Sequence, residues 1–377
     1  MNHNQIHIGI LGGGQLGRMG LPAANYFDVE LSVLDPNPNA PCAGLVQNFR
    51  VGDFNDYDTV LQFGKMVDLL TIEIEHVNVA ALYELEAAGK TVYPQPRIIE
   101  IIQDKRKQKQ FYQDHHIPTS PFVLTETKAD LQNHLDFLPA FQKLGKGGYD
   151  GAGVQQIRNA EEIQNGFDAP SILEKAVAYE KEISIIAARN ANGEIELFPP
   201  VEMVFHPEHN LVDYLFAPAE LTAETIAQAE QIVRDLIIAL NFVGLLAVEM
   251  FVTRTGDVLV NEAAPRTHNS GHHTIQACNV SQFEQHLRAI MNLPLAKIKL
   301  HQPAAMVNLL GHIGETGNAK VYGLDDALRI QGVHVVLYGK QMTKPHRKMG
   351  HATVLGKNKV DIKNKIDQVR NCIKIGI

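Results

Sequence analysis

Glu249 and Glu262 are the residues best suited to chemistry in this chain, because the segment from Leu246 to Glu262 reads as a β-hairpin that sets two carboxylates side by side. The runs flanking Arg254-Thr-Gly-Asp257 are rich in β-branched residues. A two- or four-residue connection centred on Thr255-Gly256 pairs Phe251 with Val260 and Glu249 with Glu262. Like charges directly opposite on a sheet face repel. A structural hairpin gains nothing from that repulsion, whereas Mg²⁺ held by carboxylates and substrate phosphates requires such a pair. Two solvated glutamates are the plainer alternative, and a three-residue loop with a bulge is expected to slip the register and part them.

Other segments carry complementary chemistry. Gly145-Lys-Gly-Gly-Tyr-Asp-Gly-Ala-Gly153 has a backbone able to wrap closely around an anion, with Lys143 and Lys146 as point charges for phosphates. No Gly-Lys-Ser/Thr opens a helix after it, so it is not a P-loop; a mobile surface loop is the alternative. Ala264-Pro-Arg-Thr-His-Asn-Ser-Gly-His-His273 packs Arg266, His268, Asn269 and Ser270 into five positions, a set of donors for a small oxyanion. Its rivals are a polar loop, or His268, His272 and His273 as metal ligands. Lys340, Lys344, Arg347 and Lys348 gather in one basic segment that suits a substrate phosphate or a solvated face.

Composition bounds the functional class. At 377 residues, with 45% hydrophobic and 20% charged residues, the chain suits a soluble protein of two or three domains. A net charge of −8 offers no global field for nucleic acid, so any phosphate site must be built locally. Cys42, Cys278 and Cys372 are widely spaced and lack a Cys-x-x-Cys pattern, which fits a reducing compartment, and the cytoplasm is expected. No run approaches the length of a membrane span.

These groups must be positioned by regular elements. Strands at Ile6 to Leu11, Glu30 to Leu34 and Val67 to Ile72 alternate with helices, so residues 1 to about 104 are expected to form a parallel α/β sheet. Gly12-Gly-Gly-Gln-Leu-Gly17 opens the first helix and Asp35 ends the next strand, matching the dinucleotide fingerprint, although such a turn holds any phosphate. Glu73 and Glu75 lie where ligands bind in open α/β sheets, and either suits an amine. Asp104 to Asp114 reads as a basic helix ending before the hinge-like Ile117-Pro-Thr-Ser-Pro121. A small unit follows, with strands at Pro139 to Lys143 and Ser171 to Lys175 and a helix around Ala160 to Asn165. Further strands are expected at Glu182 to Ile186 and Glu194 to Phe198. Thr222 caps an amphipathic helix to Leu240, with Ile226, Ala229, Ile232, Val233, Leu236 and Ile237 on one stripe. Short β-like runs with glycine turns make up the tail.

Together these segments resemble the ATP-grasp ligases, and among them the 5-(carboxyamino)imidazole ribonucleotide synthase family. The carriers are Gly12-Gly-Gly-Gln-Leu-Gly-Arg-Met19, Gly147-Gly-Tyr-Asp-Gly151, Asn261-Glu-Ala-Ala-Pro-Arg-Thr-His-Asn-Ser-Gly-His272 and His346-Arg-Lys-Met-Gly-His351. The resemblance implies an α/β (α+β) ATP-grasp fold: a Rossmann-like pre-ATP-grasp domain over 1–104, an ATP-grasp core over 105–298 with its lid at about 117–177, and a small β-rich domain over 299–377. It implies ATP- and Mg²⁺-dependent (or Mn²⁺-dependent) carboxylation of 5-aminoimidazole ribonucleotide with bicarbonate, by a homodimer. Glu249 and Glu262 look like the metal ligands. Lys105, Arg106, Lys143, Gly148, Tyr149, Asp150, Gly151, Gly153, Asn261 and Glu262 would surround the ATP phosphates. Glu174, Lys175, Ala176 and Val177 would line the adenine edge, Glu182 would take the ribose hydroxyls, and His206 resembles a further nucleotide contact. Arg266, His268, Asn269 and Ser270 would hold bicarbonate, with Asp150 orienting or deprotonating the amine. Gly14, Gln15, Leu16, Glu75, Tyr149, Lys340, Arg347 and Lys348 would bind the ribonucleotide.

Three positions depart from the family pattern. Lys105 stands where an arginine is usual, with Arg106 beside it, Ala152 replaces a lid cation, and His273 stands where an aromatic is common. The competing readings are another ATP-grasp ligase, such as a formate-dependent phosphoribosylglycinamide formyltransferase, a non-catalytic nucleotide sensor, and an NAD-dependent oxidoreductase. The last leaves Glu249 and Glu262 unexplained.

Overall fold

Alternating apolar runs and helices build a five-stranded parallel sheet from the first hundred residues, in a computed structural model that describes residues 6–148, 153–205 and 212–377. Its strands are His7–Leu11, Glu30–Asp35, Asn48–Val51, Leu69–Ile72 and Thr91–Val92, in the spatial order third, second, first, fourth, fifth. Leu11 lies in register with Ile72, so Gly12–Gly14 and Glu73–Glu75 leave the sheet at one carboxyl edge, where open α/β sheets place ligands.

A nine-stranded sheet forms the centre of the molecule. Val258–Ala264, Gly244–Thr253, Tyr179–Arg189, Val201–Phe205, Val212–Ala217, Ala304–Leu310, Lys348–Leu355 and Val333–Leu337 follow one another, with Ile195–Leu197 beside Tyr179–Arg189. One face is covered by the helix Ala223–Ala239, whose Thr222 side chain accepts from the Thr225 N–H as foreseen. Ala229, Ile232, Val233, Leu236 and Ile237 are buried, but Thr225 takes the place expected for Ile226. The lid sheet is antiparallel, ordered Phe122–Thr125, Ser171–Lys175, Ala140–Leu144, Val154–Ile157. The expected helix at Ala160–Asn165 is a 3₁₀ helix.

The β-rich tail is joined to the central sheet. Val212–Ala217 pairs with Ala304–Leu310, so the tail's strands extend the central sheet. A 14-residue helix, Lys359–Cys372, also packs there, capped by Asn358. The sequence reading lacked this helix because Ile362, Ile366 and Val369 form only a narrow apolar stripe among lysines and polar residues. No helix among the described residues is long and apolar enough to cross a membrane.

Candidate active site

The hairpin brings Glu249 opposite Glu262, but by a different route from the one expected. Thr253 and Asp257 close a three-residue loop, Thr253 N–H donating to the Asp257 carbonyl at 2.9 Å. That odd loop sets Phe251 against Leu259 instead of Val260. A bulge then leaves Asn261 without a partner in the ladder and restores the register at Glu249. Val258, Val260 and Ala263 stay in the core, while consecutive Asn261 and Glu262 both face a cavity of about 590 Å³. Loop and bulge each shift the pairing by one, and the two shifts cancel.

The electrostatics of this wall suit a cation. Burial, with the charges of Glu262 and Glu182, pushes Glu249 up towards its protonated form. Lys105 touches the Glu262 carboxylate and holds that group well below the usual carboxylate range. Glu182, on the neighbouring strand, is pushed by burial and by Glu262 up to about 7. Glu249, Glu262 and the Asn261 amide present hard oxygen donors without forming a closed cage. Among the described residues no group of three or more His, Cys, Asp and Glu could hold a metal alone. Such a set fits Mg²⁺, which commonly takes one or two carboxylates and completes its octahedron with water and phosphate oxygens.

Above this wall lies a lysine cluster. Lys143, at the base of the lid loop, donates to Asn261 Oδ1 at 3.0 Å and pairs with Glu174. The other oxygen of Glu174 takes Lys109 and, at 2.6 Å, the Ser120 hydroxyl. Glu174 is therefore engaged as a buried counter-ion while it lines the cavity. Lys175 and Val177 do line the cavity, with Phe141, Met203, Leu215 and Phe251 as an apolar slot that the sequence did not flag. Ala176 contributes a backbone N–H to Pro139. Lys109 was legible in principle, since it lies four residues from Lys105 on one helix face. Ser120 had no local signal.

Lys105 and Arg106 take separate directions. Lys105 lines the cavity, whereas Arg106 turns away to pair with Glu126. Lys105→Met is expected to raise KM for ATP about tenfold, the worth of about 1.4 kcal/mol, and Arg106→Met to change it less than about twofold. Initial rates across an ATP series check both, and the reverse ranking would show that the second residue carries the contact.

The oxyanion segment is clamped from several sides. Gln282, unmarked by the sequence reading, accepts from the His268 N–H at 2.9 Å and donates to its carbonyl at 2.8 Å. Ser270 Oγ lies 2.9 Å from both Ser184 Oγ and His268 Nδ1, and His268 Nε2 lies 3.5 Å from Glu249. Burial drives His268 down to about 3, with Arg266 and Lys348 adding to the effect, so the imidazole is neutral at physiological pH. Asn269 exchanges amide contacts with Asn308 of the tail. His273 Nδ1 lies 3.1 Å from the Ser270 carbonyl and His272 Nδ1 3.1 Å from Gln282, so they do not join His268 in a metal site. Arg266 forms a bidentate pair with Glu75, Nε to Oε2 at 2.5 Å and Nη2 to Oε1 at 3.0 Å. Burial alone would raise Glu75, but Arg266 outweighs it and holds the carboxyl below its usual range.

The remaining candidates divide. Lys348 lines the cavity and Lys340 Nζ donates to Gln15 Oε1 at 2.7 Å, joining the tail to the first glycine turn. Arg347 donates to the Met342 carbonyl at 2.7 Å. Gly148 lines the cavity and Gly153 takes φ +75°. Tyr149, Asp150, Gly151, Ala152 and His206 lie outside the described residues. The dinucleotide fingerprint fails on geometry: Asp35 accepts from the Gly13 N–H at 2.7 Å, and Glu73 accepts from the Leu16 N–H at 3.0 Å. Two N–H groups of the turn are engaged by the protein's own carboxylates.

Comparison with known proteins agrees with this geometry. Three family models match in succession: a ribonucleotide synthetase preATP-grasp domain over residues 5–103, an ATP-grasp domain over 110–283, and a phosphoribosylaminoimidazole carboxylase C-terminal domain over 304–365. The N5-carboxyaminoimidazole ribonucleotide synthase of Bacillus subtilis is 36% identical over 355 residues, spanning 92% of this chain and 91% of that protein. The chain belongs to the N5-carboxyaminoimidazole ribonucleotide synthase family. It is thus an ATP-dependent ligase, and the reaction is ATP-dependent carboxylation of 5-aminoimidazole ribonucleotide in purine biosynthesis. The Thermotoga maritima synthetase has the same fold, with a TM-score of 0.91 at 39% identity and 99% coverage of both chains. An Aspergillus clavatus synthase solved with ADP and 5-aminoimidazole ribonucleotide gives 0.87 at 29% identity, covering 97% of this chain and 98% of that one. A chloroplastic phosphoribosylaminoimidazole carboxylase from Vigna aconitifolia is 36% identical over 371 residues, but this chain spans 66% of its length.

Proposed function

We propose that the carboxyl donor is bicarbonate, activated by ATP as carboxyphosphate, and that the cavity holds the reactants between the lid and the basic segment at Lys348. The observation that carries this reading is the bulged hairpin: it presents Glu249, Asn261 and Glu262 on one wall, directly upstream of Arg266, His268, Asn269 and Ser270. ATP lies with its base in the apolar slot beside Lys175 and Val177, its ribose near Glu182, and its phosphates under Lys105, Lys143 and the lid glycines. Glu249 and Glu262 would hold Mg²⁺, which would offset negative charge during phosphoryl transfer.

Arg266, with its fork held by Glu75, and the neutral His268 orient bicarbonate. A bicarbonate oxygen attacks the γ-phosphorus, the bond to the bridging oxygen breaks, and ADP leaves. The exocyclic amine of the ribonucleotide then attacks the carboxyl carbon; phosphate departs with the bonding pair and the amine loses a proton. Asp150 remains our candidate for orienting or deprotonating that amine. Closure of the lid glycines over the reactants keeps water from the reactive carboxyphosphate. Gly14, Gln15, Leu16, Lys340, Arg347 and Lys348 form the ribonucleotide's phosphate end.

ADP release measured with ATP, Mg²⁺ and bicarbonate, with and without 5-aminoimidazole ribonucleotide, tests the reading. Stimulation by the ribonucleotide is expected, and its absence would overturn it. For Arg347→Ala, KM for the ribonucleotide should rise about tenfold, in line with about 1.5–3 kcal/mol for a charged hydrogen bond. A defect in ATP binding instead would show that the two substrate ends are exchanged. We place the enzyme in the cytoplasm as a homodimer: its cysteines are all free, and sedimentation checks the oligomer.

A further inference from the structure

Ser184 is a buried hydroxyl in the middle of the strand Tyr179–Arg189, 1% exposed and directly opposite Glu249 in the ladder. Burying a hydroxyl is costly unless it is hydrogen-bonded. Its partner is Ser270 Oγ, at 2.9 Å. That contact exists because the short turn Asn269–Gly271 lies on the strand. A side chain at Gly271 would run into Ile186 Cδ1 and place its Cβ 2.5 Å from Gln282 Oε1, so the turn reaches the strand because position 271 carries none. Thr274 Oγ1 donates to the Gly271 carbonyl at 2.6 Å and holds the turn in place.

One backbone donor fixes where the protons lie. The Ser270 N–H donates to His268 Nδ1 at 3.3 Å. A ring nitrogen that accepts an N–H carries no proton of its own, so the imidazole proton sits on Nε2. Ser270 Oγ, 2.9 Å from the same Nδ1, must then donate to it. Its lone pair is left to the Ser184 hydroxyl, which donates to Ser270 in turn. The relay therefore runs in one direction, from Ser184 through Ser270 to His268. At its far end Nε2 lies 3.5 Å from Glu249 Oε1, and His268 lines the cavity. We propose that Ser184 is a positioning residue for the carboxylation: through Ser270 it fixes His268 in one orientation as the Nε2–H tautomer, so that His268 serves bicarbonate as a hydrogen-bond donor and not as a base. Ser270 commits its hydroxyl proton to the relay and acts through His268. Linked hydroxyls polarise and strengthen one another. A donor fixed in advance needs no reorganisation as charge builds on the carboxyl oxygen during attack by the amine. This rests on the placement of bicarbonate beside His268.

Steady-state kinetics of the full-length enzyme in carbonate-depleted buffer, with bicarbonate added back, test it. Ser184→Ala should raise KM for bicarbonate about fivefold and Ser270→Ala about tenfold, with KM for ATP within about twofold. Because Ser184 acts only through Ser270, the double variant should match Ser270→Ala alone. Effects that simply add would overturn the relay. Nitrogen-15 spectra of histidine-labelled enzyme read the tautomer directly, the His268 signals being those lost in His268→Gln. The parent should carry the proton on Nε2, and Ser270→Ala should show a mixture; a proton on Nδ1 in the parent would overturn the proposal. His268→Gln also serves as kinetic reference. If it leaves KM for bicarbonate unchanged, the placement of bicarbonate is wrong and the proposal falls with it. If it raises that KM while Ser184→Ala and Ser270→Ala match the parent, only the relay is overturned. Equal increases for bicarbonate and ATP in Ser184→Ala would also overturn it, as a general packing defect. Should Ser184→Ala fail to fold, Ser184→Cys, which keeps the shape with a weaker donor, decides by the same comparison.

Discussion

Glu249→Gln is expected to lower turnover at least about a thousandfold, while leaving the unliganded protein as stable as its parent or more so. Glu249 is held opposite Glu262 and near Glu182, and burial adds to their repulsion in pushing its carboxyl up. Two like charges about 4 Å apart repel by about 4 kcal/mol at an effective dielectric constant near 20. A neutral amide of the same shape relieves part of that. A thousandfold loss of rate corresponds to about 4 kcal/mol of transition-state stabilisation, a reasonable loss for one of two anionic metal ligands. Glu262→Gln should lose turnover equally but without the gain in stability, because it also removes the partner of Lys105. ADP release at saturating substrate and thermal unfolding without ligands check both variants. Near-normal rates for either would refute the paired-carboxylate proposal.

Glu174→Gln should have the largest structural effect. Lys109 and its partner Glu174 are almost wholly enclosed, with side chains 2% and 4% exposed, and Lys143 shares the same carboxylate. Breaking a buried pair by removing one partner leaves a charge uncompensated and costs about 3–5 kcal/mol. In a domain of this size that lowers the apparent Tm by roughly 10 °C. KM for ATP should rise as well, because Lys143 loses the group that directs it. Burial alone would raise Glu174, but Lys143 and Lys109 outweigh it and hold the carboxyl at about 2, against an ordinary 4.5. A depressed carboxylate stabilises the fold above its unfolded pKa and ceases to as pH falls through the folded one. The parent should therefore lose this contribution between about pH 4.5 and 2, and Glu174→Gln should show a flatter acid limb. The double variant Lys109→Met/Glu174→Gln should recover stability without recovering ATP affinity. Recovery of both would show that the cluster serves packing alone.

Legibility followed chain distance. The parallel sheet, the lid strands and the helix capped by Thr222 each announce themselves within one window of periodic residues, and they formed near the expected positions. The helix Lys359–Cys372 escaped because three buried positions in 14 residues are too few to stand out. Lys340 could be marked as basic, but its seat on Gln15 lies 325 residues away in the chain. Gln282 and Asn308 carry no motif; only their contacts with His268 and Asn269 give them a role.

By itself the sequence determined which carboxylates, lysines and oxyanion donors are available, and that Glu262 and Arg266 stand within five positions of each other, since covalent order cannot be undone by folding. Tertiary structure decided which groups meet. Glu249 faces Glu262 only because an odd loop and a bulge cancel, and a ladder of period two turns each one-residue shift into a change of face. It also decided that Lys105 enters the cavity while Arg106 leaves it, that Glu75 holds Arg266, and that Glu73 accepts from the Leu16 N–H. These choices depend on the cost of burying a charge, which is met by whichever partner the packing brings close and is invisible along the chain.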